Sequence, residues 1–369
     1  MAFRSIYVAA TGQHVGKTTS TLGLIHSLRT LGINVGYCKP VGQQYVTHDG
    51  KRVDKDTALF AQFMDFEIEP SIHSPIILGP GATEEYLDDP DQHDLHGDLL
   101  RAKKVLDDNH DFVIYEGTGH PGVGSVADVS NSVVANLVGA GVIMVVPAGI
   151  GNTIDKLDVN LAAFQHKNIP ILGVIINKCR PNKIEKVRHY VSKKLNQRGI
   201  PVLGVLPFTE ELGLPLMGTI CRAVKGEALF NVNQFDNKVE NIIAGSLIDL
   251  EDLKRFNNQL LVVSVRRFDD AIRKIKQVAE QNGLNDSILS GILLTGKGSL
   301  REEHKQYIET FKIPVIKTNI DTYEAVIRIS KIEVKINTRT PWKVQRAVRL
   351  FAEHVDLSII QDQLDIKQI

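Results

Sequence analysis

Short apolar segments alternate with helical patterns along residues 1–207. Because the apolar runs are continuous rather than alternating with polar residues, they predict strands of a parallel sheet covered by helices on both faces. The predicted strands are Ile6–Ala10, Val35–Pro40, Phe112–Glu116, Val142–Val146, Leu172–Asn177 and Val202–Pro207. The helical patterns between them are Thr18–Leu31, His96–Leu106, Asp155–His166 and Lys183–Arg198. This βα alternation predicts right-handed crossovers and a ligand site at the carboxyl edge of the sheet.

Two segments interrupt the alternation. Residues 65–95 are rich in proline and acidic residues and predict a loop-rich insert, which is either a substrate lid or an ordinary long loop. Residues 209–260 have a mainly helical and polar pattern.

A second, smaller βα series follows and ends in a helix. Its predicted elements are the strands Leu260–Val265, Ile288–Leu294 and Ile313–Thr318 and the helices Asp269–Gln281, Glu302–Phe311 and Asp321–Ile329. Thr340–His354 predicts a C-terminal helix with Pro341 in its first turn.

Composition narrows the class of protein without identifying it. A length of 369 residues, 43% hydrophobic residues and 23% charged residues are those of a water-soluble protein of two or three domains. The formal charge of zero favours no nucleic-acid partner. Three scattered cysteines indicate a reducing, cytoplasmic setting. We expect no signal peptide and no membrane span, because glycine, asparagine and proline interrupt the longest apolar stretch, Val133–Gly151.

The loop after the first predicted strand carries Gly16-Lys17-Thr18. A strand, a glycine-bearing turn and a helix suit a phosphate-binding loop, because backbone N–H groups and the helix N-terminus meet the oxyanions. Lys17 is expected to reach the terminal phosphates of ATP, and the Thr18 hydroxyl to ligate Mg²⁺. The glycine spacing departs from the strict GxxxxGK[ST] form, so the alternative is an ordinary helix N-terminus. The predicted ATP-binding residues, hereafter the phosphate loop, are Gly12, Gln13, His14, Val15, Gly16, Lys17, Thr18 and Thr19.

Two carboxylates are candidates for the same metal site. Glu116 ends a predicted buried strand, and the carboxyl end of a parallel strand beside a phosphate loop is where Mg²⁺ needs oxygen ligands. The alternative is a strand that stops at a solvated glutamate. Asp56 either supplies a second metal ligand or caps the helix that the apolar residues after it predict.

Lys39 and Asn177 end two further predicted strands. Pro40 keeps Lys39 extended, and a cation at this edge would neutralise transferring phosphoryl oxygens or hold a carboxylate substrate. The alternative is a surface lysine. The amide of Asn177 offers the donor and the acceptor that adenine requires, although many such asparagines cap turns.

Taken together, these motifs resemble the dethiobiotin synthetase group of P-loop NTPases over roughly residues 3–210. The matching segments are Thr11–Thr18, Lys39–Val41, Glu116–Gly119, Gly149–Thr153, Gly173–Asn177 and Gly204–Pro207. The resemblance implies ATP and Mg²⁺ as cofactors, Lys17 and Lys39 as catalytic residues, and Asn177 at adenine. It implies Thr18 and Glu116 as metal ligands, with Asp56 as a further candidate. A homo-oligomer, dimer or higher, is also implied, since dethiobiotin synthetases build their substrate pocket across a dimer.

The second half resembles the DRTGG domain of long phosphotransacetylases. Its matching segments are Gly291–Gly296, Ile313–Val315, Asp321–Tyr323 and the closing helix Lys343–Asp356. The Asp-Arg pair that names the domain is replaced by Arg266-Arg267, and Thr-Gly-Gly by Thr295-Gly296-Lys297.

The expected fold class is therefore α/β. A P-loop NTPase domain, residues 1–213, has a mostly parallel sheet flanked by helices, and a smaller DRTGG-like α/β domain with the C-terminal helix occupies residues 214–369.

Two functions fit this organisation. One is an ATP-dependent ligase that activates a small carboxylate or carbamate, and the other is a non-catalytic sensor of nucleotide and metabolite. Phosphate acetyltransferase activity is not expected, because no acetyl-transferring domain is recognised before Ile369.

Overall fold

Six strands of the first unit form one fully parallel sheet in the computed structural model, which describes residues 2–244, 257–281, 283 and 286–366. The strands of this unit are β1 (Ser5–Ala10), β2 (Val35–Cys38), β3 (Val41–Gly42), β4 (Tyr45–His48), β5 (Lys51–Asp54), β6 (Ile76–Ile77), β7 (Phe112–Glu116), β8 (Gly141–Pro147), β9 (Ile171–Cys179) and β10 (Val202–Pro207). The sheet has the order β10-β9-β8-β1-β7-β2. The six strands coincide, within one or two residues at their ends, with the six continuous apolar runs.

Helices connect these strands. They are α1 (Lys17–Thr30), α2 (Lys55–Met64), α3 (Pro70–His73), α4 (Ala82–Asp88), α5 (Leu95–Asn109), α6 (Asn131–Val138), α7 (Gly151–Gln165) and α8 (Ile184–Asn196). Residues 142–146 of β8 are completely buried, as expected for a central strand covered on both faces. The apolar stretch from Val133 divides into the end of α6 and β8. Within the described residues, every helix is too short or too polar to span a membrane.

The segment between β2 and α5 contains more structure than its composition indicates. Residues 65–95 include α3, β6 and α4, and Pro70 occupies the first turn of α3. Before them, β4 and β5 form an antiparallel hairpin whose turn is Asp49-Gly50, both with positive φ. Asp-Gly is a strong hairpin signal because both turn positions tolerate this conformation. This hairpin is absent from the sequence prediction, although the dipeptide indicates it.

The second unit, Glu210–Lys335, is a smaller α/β structure. Its elements are the strands β11 (Glu227–Phe230), β12 (Asn241–Ala244), β13 (Gln259–Ser264), β14 (Leu289–Thr295) and β15 (Val315–Thr318) and the helices α9 (Glu210–Gly213), α10 (Met217–Ala223), α11 (Phe268–Gln281), α12 (Glu302–Thr310) and α13 (Thr322–Ser330). The sheet order is β11-β15-β14-β13-β12, and β11 alone runs antiparallel to its neighbour.

The expectation of a mainly helical segment at 209–260 is wrong for two of its parts. Residues 227–230 and 241–244 form the edge strands β11 and β12. Each strand is four residues long and partly exposed, and its apolar run of three residues is too short to distinguish a strand from a helical segment. Residues 245–256 of the same expectation lie outside the described residues.

The C-terminal helix, Pro341–His354, belongs to the first unit together with the other described residues from Ile336 onward. It packs on α1, where Phe351 covers Gly23 so closely that a Cβ at Gly23 would lie 2.1 Å from the Cβ of Phe351. Beyond the helix, Val355 pairs with Gly204 of β10. The division of the chain therefore differs from the expected boundary at 213/214, because the apolar stripe of this helix covers the helix that follows the phosphate loop.

Phe351→Ala is expected to lower the free energy of unfolding of the first unit by about 3–5 kcal/mol, because it leaves a cavity against α1. Trp342, the single tryptophan of the chain, lies in the same helix and reports unfolding by its fluorescence in urea. Val159→Ala, at an exposed position of α7, is the control and should leave the midpoint nearly unchanged. Equal midpoints for Phe351→Ala and the control would contradict this packing.

Candidate functional site

The phosphate loop joins β1 to α1 and is shaped by two residues with positive φ, His14 and Gly16. Gly16 caps the N-terminus of α1 at φ 110°, a conformation that glycine adopts without strain. The Lys17 ammonium donates to the carbonyl of Gly12 at 3.0 Å and to that of Gly119 at 2.9 Å. Lys17 thus lies over its own loop and joins it to the segment that follows β7.

The end of β9 supports the phosphate loop from one side. Asn177 is buried, and its amide nitrogen donates to the carbonyl of Val15 at 2.8 Å. A Cβ on Gly16 would lie 1.8 Å from that same nitrogen, so the close approach requires glycine. The amide oxygen of Asn177 accepts from the backbone N–H of Lys178. Asn177 therefore holds the loop in place, and its contact with adenine stays a prediction.

Four of the predicted site residues come together beside the loop. The Oε1 atom of Glu116 accepts from the Thr18 hydroxyl at 3.1 Å and from the Lys39 ammonium at 3.3 Å. Lys39 also donates to Asp56 at 2.9 Å and to the carbonyl of Gly117 at 3.1 Å. A continuous chain of polar contacts thus links α1, β7, β2 and α2.

The charged groups of this cluster are buried, which strengthens the electrostatic interactions between them. The exposed fraction is 3% for Lys39 and 1% for Glu116, so Lys39 is not the surface lysine of the alternative interpretation. Burial by itself lowers the pKa of Lys39, but the nearby Asp56 and Glu116 raise that pKa above its ordinary value, and the ammonium stays charged. Burial raises the pKa of Glu116, and Lys39 offsets part of that effect.

Asp54, which sequence reasoning missed, caps the helix in place of Asp56, and the metal-binding role of Asp56 stays a prediction. The buried carboxylate of Asp54 caps α2 by accepting from the backbone N–H of Asp56 at 2.9 Å. Asp56 lies in the first turn of the helix and contacts Lys39 instead. Because Asp54 occupies the N-cap position, the Asp56 carboxylate is not used in capping and contacts Lys39 in the polar cluster.

The oxygen atoms of the cluster fit a magnesium ion. Oε2 of Glu116 is buried and accepts no hydrogen bond within the described residues, which leaves it available as a ligand. The hydroxyl of Thr18 contacts Glu116, and the carboxylate of Asp56 contacts Lys39, which contacts the same glutamate. Hydroxyl and carboxylate oxygens are the ligands that Mg²⁺ prefers.

Asn131 is a second residue that sequence reasoning missed. Its side-chain oxygen accepts from the Tyr7 hydroxyl at 2.7 Å and from the backbone N–H of Thr118 at 2.9 Å. Its amide nitrogen donates to the carbonyls of Thr118 and His120. These bonds fix the segment that contains Gly119, whose carbonyl accepts a hydrogen bond from Lys17. An asparagine at the start of a helix gives no sequence signal for such a long-range contact.

The comparisons with known protein families match both units. Residues 4–215 match the AAA_26 family, described as an AAA domain, and residues 219–332 match the DRTGG domain. This chain belongs to the AAA_26 family. The DRTGG match ends before the C-terminal helix, in agreement with the placement of that helix in the first unit.

Curated relatives share either the whole organisation or the first unit. A phosphate acetyltransferase from Nitrosomonas europaea is 23% identical over 95% of this chain and 50% of its own length. This chain thus spans about half the length of that relative. An ATP-dependent dethiobiotin synthetase from Clostridium acetobutylicum is 25% identical over 56% of this chain and 88% of its own length. These matches confirm the resemblance drawn from the motifs.

Among solved structures, the MinD cell division protein of Aquifex aeolicus has a TM-score of 0.39 and 13% identity, covering 57% of this chain and 84% of that one.

Lys39→Met is expected to destabilise the first unit by about 3–5 kcal/mol, because it leaves buried carboxylates without their cation. Adding Glu116→Gln in the same chain should recover part of the loss. Urea unfolding followed by Trp342 fluorescence measures both changes. Lys104→Met, which breaks an exposed ion pair with Asp108, is the control and should leave the midpoint unchanged. A Lys39→Met protein as stable as that control would contradict the cluster.

Proposed function

We propose that the first unit binds ATP with Mg²⁺ and transfers the γ-phosphoryl group to a small carboxylate or carbamate. The observation that carries the proposal is the buried Lys39, which contacts the same glutamate as the Thr18 hydroxyl of the phosphate loop. Burying a cation next to a phosphate loop costs desolvation energy. An anionic substrate or transition state bound beside the cation would offset that cost and be stabilised by it.

The phosphate loop supplies the nucleotide site in this proposal. The backbone N–H groups of Gly12–Thr19 and the N-terminus of α1 surround the phosphates. The Lys17 ammonium leaves the carbonyls of Gly12 and Gly119 for the terminal phosphate oxygens. Asn177, already fixed beneath the loop, lies at the strand end where the dethiobiotin synthetase resemblance places adenine.

Thr18, Glu116 and Asp56 would hold Mg²⁺, which neutralises phosphate charge when bound. A substrate carboxylate oxygen attacks the γ-phosphorus, the bond from that phosphorus to the bridging oxygen of ADP breaks, and an acyl phosphate and ADP form. Lys39 pairs with Asp56 and Glu116, which are also proposed metal ligands. In this proposal the Lys39 ammonium therefore lies close to the phosphate being transferred and neutralises its charge. Catalysis by the chain is then positioning and charge neutralisation.

A second function is favoured by the organisation of the whole chain. The match to a DRTGG domain and the alignment with phosphate acetyltransferases over 95% of this chain support a regulatory module that binds nucleotide and senses a metabolite. In both proposals the protein is a homo-oligomer, by its resemblance to dethiobiotin synthetases, and the scattered cysteines favour the cytoplasm. The two functions differ in turnover, since only the first consumes ATP in step with a small acid.

Lys17→Ala is expected to abolish ATP binding in calorimetry, because the loop loses its contact with the terminal phosphates. Lys39→Arg should bind ATP nearly as the unaltered chain does and lose about 100-fold in acid-stimulated ADP release, because its longer side chain misplaces the charge. Lys186→Ala, at an exposed position of α8, is the control for both measurements.

The outcomes separate the two functions. ADP release that rises with a panel of small carboxylic acids or with amine plus CO₂, and that falls in Lys39→Arg, supports the ligase. Tight ATP binding without stimulated release supports the regulatory module. Wild-type ATP binding by Lys17→Ala would contradict both.

A further inference from the structure

We propose that the second unit binds a small phosphate-bearing anion at the carboxyl edge of its sheet, independently of the nucleotide site in the first unit. The binding segments are the three loops that follow β13, β14 and β15, hereafter the basic edge. They comprise residues 265–267, 296–299 and 319–321.

The register of the sheet aligns the ends of β13, β14 and β15, so the three loops begin side by side. Ser264 pairs with Thr295, and Thr295 pairs with Thr318, so three parallel strands end side by side in hydroxyl residues. The chain leaves each strand at the same edge, which is where open parallel sheets bind ligands.

Direct contacts join the three loops. A Cβ on Gly298 would lie 3.0 Å from a methyl carbon of Val265, so the loops after β13 and β14 touch. The Lys317 ammonium donates to the carbonyl of Gly298 at 2.7 Å. The hydroxyls of Thr295 and Thr322 are 2.9 Å apart, which ties the loop after β14 to the start of α13.

The basic edge carries three cations whose charge is not balanced by an ion pair. The side chains of Arg266, Arg267 and Lys297 are exposed, and none of the three makes a hydrogen bond or salt bridge within the described residues. The nearby acids are already engaged. Asp269 pairs with Arg301, and Asp321 caps α13 by accepting from the backbone N–H of Glu324.

Backbone donors complete the site. Gly296 and Gly298 have positive φ, at 75° and 129°. The N–H groups of Lys297, Gly298 and Ser299 donate no hydrogen bond within the part of the chain that the structure describes. Successive unpaired N–H groups in a loop with positive φ make a concave donor surface for an anion. The two guanidinium groups and the ammonium carried by the loops of the basic edge match the charge and the donor demand of a phosphate group.

A metal ion at this edge is disfavoured, although Asp269, Glu303 and His304 are grouped there. The Nδ1 atom of His304 accepts from the backbone N–H of Arg301, so the proton of a neutral ring is on Nε2 and faces Asp269. The Arg301 guanidinium also pairs with Asp269. The polar atoms of this group therefore satisfy one another, and the open donors beside them suit an anion.

The test uses the full chain with Lys17→Ala and ¹⁵N-labelled glycine, so that phosphate binding at the first unit is weakened and each glycine amide reports its own surroundings. Inorganic phosphate, pyrophosphate and AMP are titrated separately to distinguish a free phosphate from a phosphate carried by a nucleoside. We expect saturable shifts of the Gly296 and Gly298 amides with at least one of them. Arg266→Gln/Arg267→Gln should weaken that binding at least about tenfold, with Lys297→Gln giving a smaller loss.

The charge-matched control is Lys312→Gln/Lys331→Gln. These exposed lysines follow the C-terminal ends of α12 and α13, at the opposite edge of the same sheet. They remove the same net charge and should leave affinity unchanged. An equal loss of affinity in the control pair, or unshifted Gly296 and Gly298 amides with all three anions, would overturn the proposal. Because the readout is in the second unit, it stands or falls apart from the proposed ATP chemistry.

Discussion

The contact between Lys39 and Glu116 is the interaction on which the rest of the first site depends. Cys38 of β2 and Tyr115 of β7 are paired in the sheet. Lys39 follows Cys38 in the chain, and Glu116 follows Tyr115. The sheet therefore brings a cation and an anion together in a buried place, where neither is tolerable without the other. Glu116 also accepts from Thr18, so the charge pair fixes the first turn of α1. The phosphate loop, the proposed metal ligands and the proposed substrate cation therefore depend on the same contact.

The elements of the sheet and most of the site follow from the sequence. Continuous apolar runs predict buried parallel strands. Lys39 and Glu116 converge because strand ends meet at one edge, and the loop after β1 brings Thr18 of α1 to the same edge. Long-range docking is not predictable in this way. The amide of Asn131 binds a loop 13 residues away in the chain. The C-terminal helix packs on the first unit because Phe351 fits against Gly23. Such contacts depend on shapes that a single sequence does not display.

Both units place their candidate ligand groups at the carboxyl edge of a parallel sheet. In the first unit, a glycine-bearing loop lies beside a buried set of paired charges, in which Oε2 of Glu116 accepts no hydrogen bond within the described residues. In the second, the charges are exposed and the loop N–H groups are open. The first arrangement suits chemistry that must exclude water, and the second suits reversible binding of a metabolite. A ligase with a sensing unit and a purely regulatory module are both compatible with this contrast.

The most direct test of the central claim is calorimetric titration of ATP, with and without Mg²⁺, into the unaltered chain and Glu116→Gln. The account predicts that Mg²⁺ tightens ATP binding strongly in the unaltered chain and by at least about tenfold less in Glu116→Gln, because this variant lacks the carboxylate proposed to bind the metal. Glu185→Gln, at an exposed position of α8, should behave as the unaltered chain does. The same enhancement by Mg²⁺ in Glu116→Gln would contradict the account and leave Glu116 as only the partner of Lys39.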